Sequence, residues 1–200
     1  MHLSHNFTSE TELKKKLDFI YSQSKIGKSF HGIIEVAFNE ITIITAIHNI
    51  KSNKGAKTAG IDKAKIDKYL QMKKDKLIRL IKDSIKRYRP RPVRREYILK
   101  NNGKLRPLGI PTILDRIIQE CLRIVIEPIA EGKFYPQSYG FRPLRATKHA
   151  IMDIITLINV RSKEKPIIAI EGDIKVITSS WLSPVSTWNP TVPSKLTTVK

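Results

Sequence analysis

Val93-Arg94-Arg95-Glu96-Tyr97-Ile98-Leu99-Lys100, then Asn101-Asn102-Gly103, then Lys104-Leu105-Arg106-Pro107-Leu108-Gly109-Ile110 is the stretch whose pairing decides the fold. β-Formers flank a short Asn/Gly turn, the signature of a β-hairpin. Turn length then fixes which side chains share a face. A two-residue loop at Asn102-Gly103 pairs Lys100 with Leu105 and sends Arg106 to the face opposite Arg94 and Lys100. A three-residue loop over 101–103, with Gly103 left-handed, pairs Lys100 with Lys104 and Ile98 with Arg106. Arg94, Lys100 and Arg106 then lie on one face. The longer loop is preferred here because three gathered cations can grip a triphosphate. The plainer alternative is a solvated basic face.

Upstream, Pro90 and Pro92 end a helix that starts near Asp62 and buries Ile66, Tyr69, Leu70, Leu77, Ile81 and Ile85. Before it, residues 51–60 hold two glycines, small residues and Lys51, Lys54 and Lys57. That composition predicts a mobile basic loop, either a solvated linker or a loop closing on a nucleic-acid backbone. Residues 33–50 carry apolar side chains at helical spacing, although the β-branched run from Ile41 to Thr45 also suits a strand. Residues 10–22 read as a short helix with Leu13, Leu17, Ile20 and Tyr21 on one face.

Downstream, Thr112 is an N-cap with Asp115 three residues on, a variant capping box. The helix it opens places Leu114, Ile117, Ile118, Cys121, Leu122, Val125 and Ile129 in two adjacent ridges, and Pro128 is expected to break its end. Cys121 reads as core, since no partner base is identifiable. Residues 135–143 are irregular, with three aromatics beside Arg142, a composition that suits stacking on bases or an ordinary packed turn. Residues 144–160 form an amphipathic helix with Ala150, Ile151, Ile154, Ile155 and Ile158 inward. The apolar run 166–170 is a buried strand, with Asp173 just past it where a carboxylate suits a Mg²⁺ ligand or is simply a strand-end residue.

The net charge of +19 and pI near 10.1 point to an anionic polymer as partner. Beyond Lys175 the only cations are Lys195 and Lys200, so the basic field belongs to the patterned part of the chain. Nucleic acid fits this better than a membrane surface, because phosphate contacts consume many Lys and Arg. No apolar run is long enough to span a bilayer, and residues 1–6 lack the features of a signal peptide. One cysteine cannot form an internal disulfide, and the five histidines have no metal-ligand spacing; a reducing cytoplasm, of bacterial type or within an organelle, is expected.

Five blocks together resemble a known family: Lys51-Ser52-Asn53-Lys54-Gly55 with Thr58-Ala59-Gly60-Ile61-Asp62; Arg91-Pro92-Val93-Arg94-Arg95; Leu105-Arg106-Pro107-Leu108-Gly109-Ile110-Pro111-Thr112; Ser138-Tyr139-Gly140-Phe141-Arg142-Pro143; and Glu171-Gly172-Asp173-Ile174-Lys175. They occur in the order seen in group II intron reverse transcriptase/maturases. The resemblance implies an α+β right-hand polymerase fold: an N-terminal helical extension (1–29), a fingers region of helices plus a β-hairpin (30–165) and the first palm strand (166–175). An irregular, divergent tail (176–200) follows. By matching motifs, Arg94, Lys100 and Arg106 would contact the incoming nucleotide's triphosphate. Tyr139, Gly140, Phe141 and Arg142 would lie along the template and nucleotide pocket. Lys51, Lys54, Lys57 and Arg95 are the further nucleic-acid-binding candidates. Asp173 would be the first catalytic, Mg²⁺-binding aspartate, and the implied partners are intron or template RNA, a DNA primer and a dNTP, with no membrane.

The chain departs from the family after Lys175, where Val176-Ile177-Thr178-Ser179-Ser180 replaces an aromatic pair and a further aspartate, and no Tyr-x-Asp-Asp occurs. The expectation is an N-terminal portion without polymerase activity of its own. The alternatives are a non-catalytic, maturase-like splicing factor that holds intron RNA, or a degenerate product with no selected role.

Overall fold

The computed structural model describes residues 1–161 and two short strands at 167–170 and 196–199. Two units, Met1–Tyr135 and Pro136–Lys200, divide the chain. Elements in chain order are α1 (Glu10–Lys25), α2 (Ile33–Ala37), α3 (Glu40–Ser52), α4 (Ile66–Leu70), α5 (Lys74–Lys86), β1 (Arg94–Leu99), β2 (Leu105–Ile110), α6 (Ile113–Glu131), α7 (Thr147–Arg161), β3 (Ile167–Ile170) and β4 (Leu196–Val199). Helices with short antiparallel strand pairs make the class α+β.

The first unit is built on α6. Thr112 starts it: its hydroxyl oxygen accepts the Asp115 N–H at 3.2 Å while its O–H donates to Asp115 Oδ2 at 2.6 Å. One orphan donor of the first turn is thereby satisfied. Ile113, Ile117, Ile118, Cys121, Ile124 and Val125 are buried along the helix, which packs against α1, α2, α3 and α5. Each such side chain contributes about 1.5–3 kcal/mol when fully removed from water. Pro128 does not end the helix as expected, because α6 runs on to Glu131. A proline so near a C-terminus forfeits one i→i−4 hydrogen bond and leaves the last turn free to close on its carbonyl, which accepts the Gly132 N–H at 3.2 Å.

The N-terminal segment belongs to the same unit. Leu13 and Ile20 of α1 are buried, whereas Tyr21, expected inward, is exposed. Ser24 donates its hydroxyl to Ile129 O at 2.6 Å, and Gly132 sits so close that a Cβ there would meet Ser24 Cβ at 2.8 Å. These contacts hold α1 in the unit that ends at Tyr135.

Two stretches that read as single helices are broken. Between α2 and α3, Asn39 caps α3 by accepting the Ile41 N–H at 2.8 Å, and its amide donates to His5 O at 2.8 Å and Phe7 O at 3.3 Å. A tertiary anchor thus interrupts an unbroken apolar period. The second break, at 71–73, separates α4 from α5. Ile66, Tyr69, Leu77 and Ile81 are buried as their spacing predicts, while Leu70 is exposed.

In the second unit α7 starts at Thr147, later than expected. Ile151, Ile154, Ile155 and Ile158, expected inward, are exposed. β3 pairs antiparallel with β4, Ile167 opposite Val199. β4 lies within the stretch expected to be irregular; strand pairing, which local periodicity does not report, defines it. No helix among the described residues is long and apolar enough to cross a membrane.

Candidate nucleic-acid interface

β1 and β2 pair with Leu99 opposite Leu105 and Ile98 opposite Arg106. Lys100 N–H donates to Lys104 O at 2.8 Å, Gly103 N–H donates back to Lys100 O at 2.9 Å, and Gly103 has φ 74°. This is the three-residue loop with a left-handed glycine. The two-residue alternative needs Lys100 opposite Leu105 and is excluded. Asn102 accepts the Lys104 N–H on its side-chain oxygen at 3.2 Å, which fixes the turn further.

The register places Arg94, Glu96, Ile98, Lys100, Arg106 and Leu108 on one face. Strand rise puts Arg94 about 13 Å along the ribbon from the Ile98–Arg106 level, and Lys100 about 7 Å beyond it. Lys100 and Arg106 therefore make the close pair, and neither side chain has a hydrogen bond or ion pair among the described residues. Arg94, at the base, pairs with Glu96 at 2.8 Å. Its Nε is buried without a partner. Arg95 is on the other face with Tyr97 and Leu99, and both faces are largely exposed.

The basic loop 51–60 is held, contrary to the mobile loop that its composition predicts. Arg116, in the first turn of α6, donates from Nε to Pro111 O at 3.1 Å, from Nη1 to Gly55 O at 3.0 Å and from Nη2 to Thr58 O at 2.7 Å. Ala56 is buried, and Gly60 lies against α6, where a Cβ would meet Thr112 Cα at 2.7 Å. Lys51, Lys54 and Lys57 stay exposed. The loop thus presents its lysines from a fixed backbone.

Arg116 and the groups around it escaped the sequence reading. Burial lowers the Arg116 pKa, the charge of Arg94 lowers it further, and Asp62 opposes both. Asp115 accepts the Tyr88 hydroxyl at 2.9 Å, linking the end of α5 to the start of α6. Burial, then this bond to Asp115, raises the Tyr88 pKa. Asp62 meets Arg91 at 3.6 Å. The available signal was a cation in a helix's first turn, where the macrodipole disfavours it. Such a residue needs a tertiary reason.

Residues 139–142 belong to the second unit. The Tyr139 hydroxyl donates to Asp153, which raises the phenol pKa, and Arg145 lies over the Tyr139 ring at 5.5 Å. Arg142 donates from Nη1 to Ser138 O at 2.7 Å. Phe141 has φ 55° and is fully exposed, beside a Gly140 with open space around it. Tyr139, Gln137, Ala150, Asp153 and Ile154 line a cleft of about 640 Å³. Asp173 lies outside the described residues, among which no group of three or more His, Cys, Asp or Glu could hold a metal ion.

No protein-family model matches the chain. It is 42% identical over 134 residues to the Group II intron-encoded protein LtrA of Lactococcus lactis subsp. cremoris, covering 66% of this chain and 22% of that protein. It is 41% identical over 130 residues to Protein YkfC of Escherichia coli, covering 62% of this chain and 32% of the relative. Over 63 residues it is 36% identical to Nuclear intron maturase 2, mitochondrial, of Arabidopsis thaliana, covering 32% of this chain and 8% of that protein. The chain spans about a fifth of the length of the first of these relatives and about a third of the second.

Proposed function

The chain belongs, by similarity over 66% of its length, with the group II intron-encoded reverse transcriptases/maturases, and from that premise we propose that it is their RNA-gripping fingers region. The observation that carries the reading is the hairpin register, which gathers Arg94, Lys100 and Arg106 on one face. Lys51, Lys54, Lys57 and Arg95 add cations to the same unit. The Lys100 ammonium and Arg106 guanidinium, on a ribbon exposed to solvent, contact phosphates without first shedding protein partners, whereas Arg94 must first release Glu96. In this reading Lys100 and Arg106 meet the triphosphate of a dNTP, and the loop lysines follow the RNA backbone. Tyr139, Gly140, Phe141 and Arg142 line the template and nucleotide pocket.

Asp173 is the residue proposed to hold Mg²⁺, the metal that supplies charge neutralisation in phosphoryl transfer. One carboxylate does not complete a two-metal site, so these 200 residues are proposed to bind RNA, primer and dNTP without extending the primer.

Fluorescence anisotropy with single-stranded RNA over a salt series tests the reading. Affinity for the RNA should fall steeply with salt, through the loop lysines. With a labelled dNTP as ligand, replacing Lys100 and Arg106 together by glutamine should weaken binding about tenfold or more, since two charge-assisted contacts to the triphosphate are lost. An unchanged dNTP affinity removes the hairpin from the interface. Primer extension in Mg²⁺ and dNTPs, if observed, overturns the non-extending half. Binding that strongly prefers cognate intron RNA to unrelated RNA favours a splicing role.

A further inference from the structure

Between the end of α3, the held loop and the outer side of α6 is a cleft of about 400 Å³ that the hairpin reading does not use. Its floor is apolar, formed by Ile50 and Ala56, each 5% exposed. One wall is the Arg116 guanidinium, whose plane is fixed by the three carbonyls it bonds. Beside it on the same face of α6, at i+4 and i+7 from Arg116, stands a closed ion-pair system: Glu120 accepts from Arg123 Nε at 2.8 Å and Nη2 at 2.7 Å and from Asn49 at 2.8 Å. Burial by itself would raise the Glu120 pKa, but the hydrogen bonds from Arg123 and Asn49 hold it below the usual carboxylate range. Arg123's charge is therefore cancelled where it stands. At the mouth, the side-chain amides of Asn53 and Gln119 have no hydrogen-bond partner among the described residues.

Charge is sorted across this cleft. The interior has an apolar floor, an ion pair closed on itself and one planar cation whose N–H groups are already engaged by three carbonyls, while Lys54 and Lys57 stand exposed on the loop that borders it. A phosphate belongs at such a rim and not inside. A flat, polar-edged, uncharged group belongs inside: it can lie against the guanidinium plane and Ile50, and offer its edge to two carboxamides. The volume is near the lower end of the range of about 300–1,000 Å³ typical of small-ligand pockets.

We propose that this cleft receives one unpaired nucleobase of a bound RNA, with Asn53 and Gln119 reading its edge and Lys54 and Lys57 holding the flanking phosphates. The proposal rests on the RNA-binding reading above and extends it to a site that senses single-stranded RNA, since a base in a duplex cannot enter.

The test uses the 200-residue chain with two single-stranded RNA oligonucleotides of one sequence, the second with a run of abasic sites at its centre. The unmodified RNA should bind about 5- to 30-fold more tightly, the size of one good base contact. Asn53→Ala and Gln119→Leu, both at exposed positions, should each shrink that preference toward unity. They should leave the salt slope intact, because every phosphate keeps its cation. Lys54→Gln with Lys57→Gln should do the reverse, lowering the slope and keeping the preference. Melting curves equal to the parent's identify folded variants. Equal affinity for the two RNAs in the parent chain, or a preference that survives both amide variants, overturns the base pocket while the RNA-binding reading stands. Absence of salt-dependent binding to either RNA overturns both.

Discussion

The hairpin and the 51–60 loop are both basic, glycine-containing and exposed, yet they are shaped in opposite ways. The hairpin is specified by its own residues: alternation sets the two faces, and Gly103 at φ 74° sets the count of loop residues. The loop is specified from elsewhere, by a guanidinium on α6 and by the contact of Gly60 with Thr112. Similar composition therefore yields two mechanical outcomes. A ribbon exposed on both faces has little packing to stiffen it, whereas a loop with two side-chain-to-carbonyl anchors, at Gly55 and Thr58, and a glycine packed against Thr112 is stiff despite its glycines.

Substitutions can break this contrast. Gly60→Val puts a branched side chain where even a Cβ would be 2.7 Å from Thr112 Cα. Backbone must move, and the expected loss is about 3 kcal/mol by chemical denaturation, comparable with severe overpacking. Arg116→Gln removes three hydrogen bonds from a charged donor. It should cost about 2 kcal/mol and make residues 51–60 the first site of limited proteolysis, because bonds to a charged group count for more than neutral ones. If the loop stays protected, the brace is not what holds it.

Gly103→Val tests the hairpin side and should cost about 1–2 kcal/mol, from forcing a branched residue into the left-handed region. The effect should be confined to residues 94–110, seen by NMR as weakened cross-strand amide cross-peaks with the melting of the helical core unchanged. The smallest effect concerns pH. Hydrogen bonds hold Glu120's folded pKa below its unfolded value, so its contribution is present above the unfolded pKa and is lost as pH falls through the folded one. Glu120 is only partly buried, and screening limits the term to about 0.5 kcal/mol. Stability curves of the parent and Glu120→Gln should converge as pH drops below about 4.

How far the sequence could be read follows the same division. The hairpin was legible from its β-formers and Asn/Gly turn, side-chain parity narrowed its register to two, and the choice between them was made on the cations that the longer loop gathers; α6 was legible from its cap and its ridges. The break before Asn39 was not, because its cause is Asn39's bond to His5 and Phe7 carbonyls some thirty residues away. Arg116 was invisible for a related reason: its three acceptors are backbone carbonyls, which have no residue identity to read. The apolar stripe of α7 was visible as a pattern, but a pattern names a face and not its cover. Asp173 lies outside the described residues, so its role rests on sequence likeness.

Cys121 gives the molecule a clock. It is the chain's single cysteine, has no exposed surface, and its pKa is pushed up to about 12 by burial and by the neighbouring Glu120 charge. Since the thiolate is the reactive form, an electrophile added at neutral pH finds nothing to attack until α6 separates from its partners. The labelling rate then equals the opening rate of the helical core whenever reagent outpaces reclosure. Loop and hairpin fluctuations do not register, so one residue times the opening of the framework on which both basic elements are mounted.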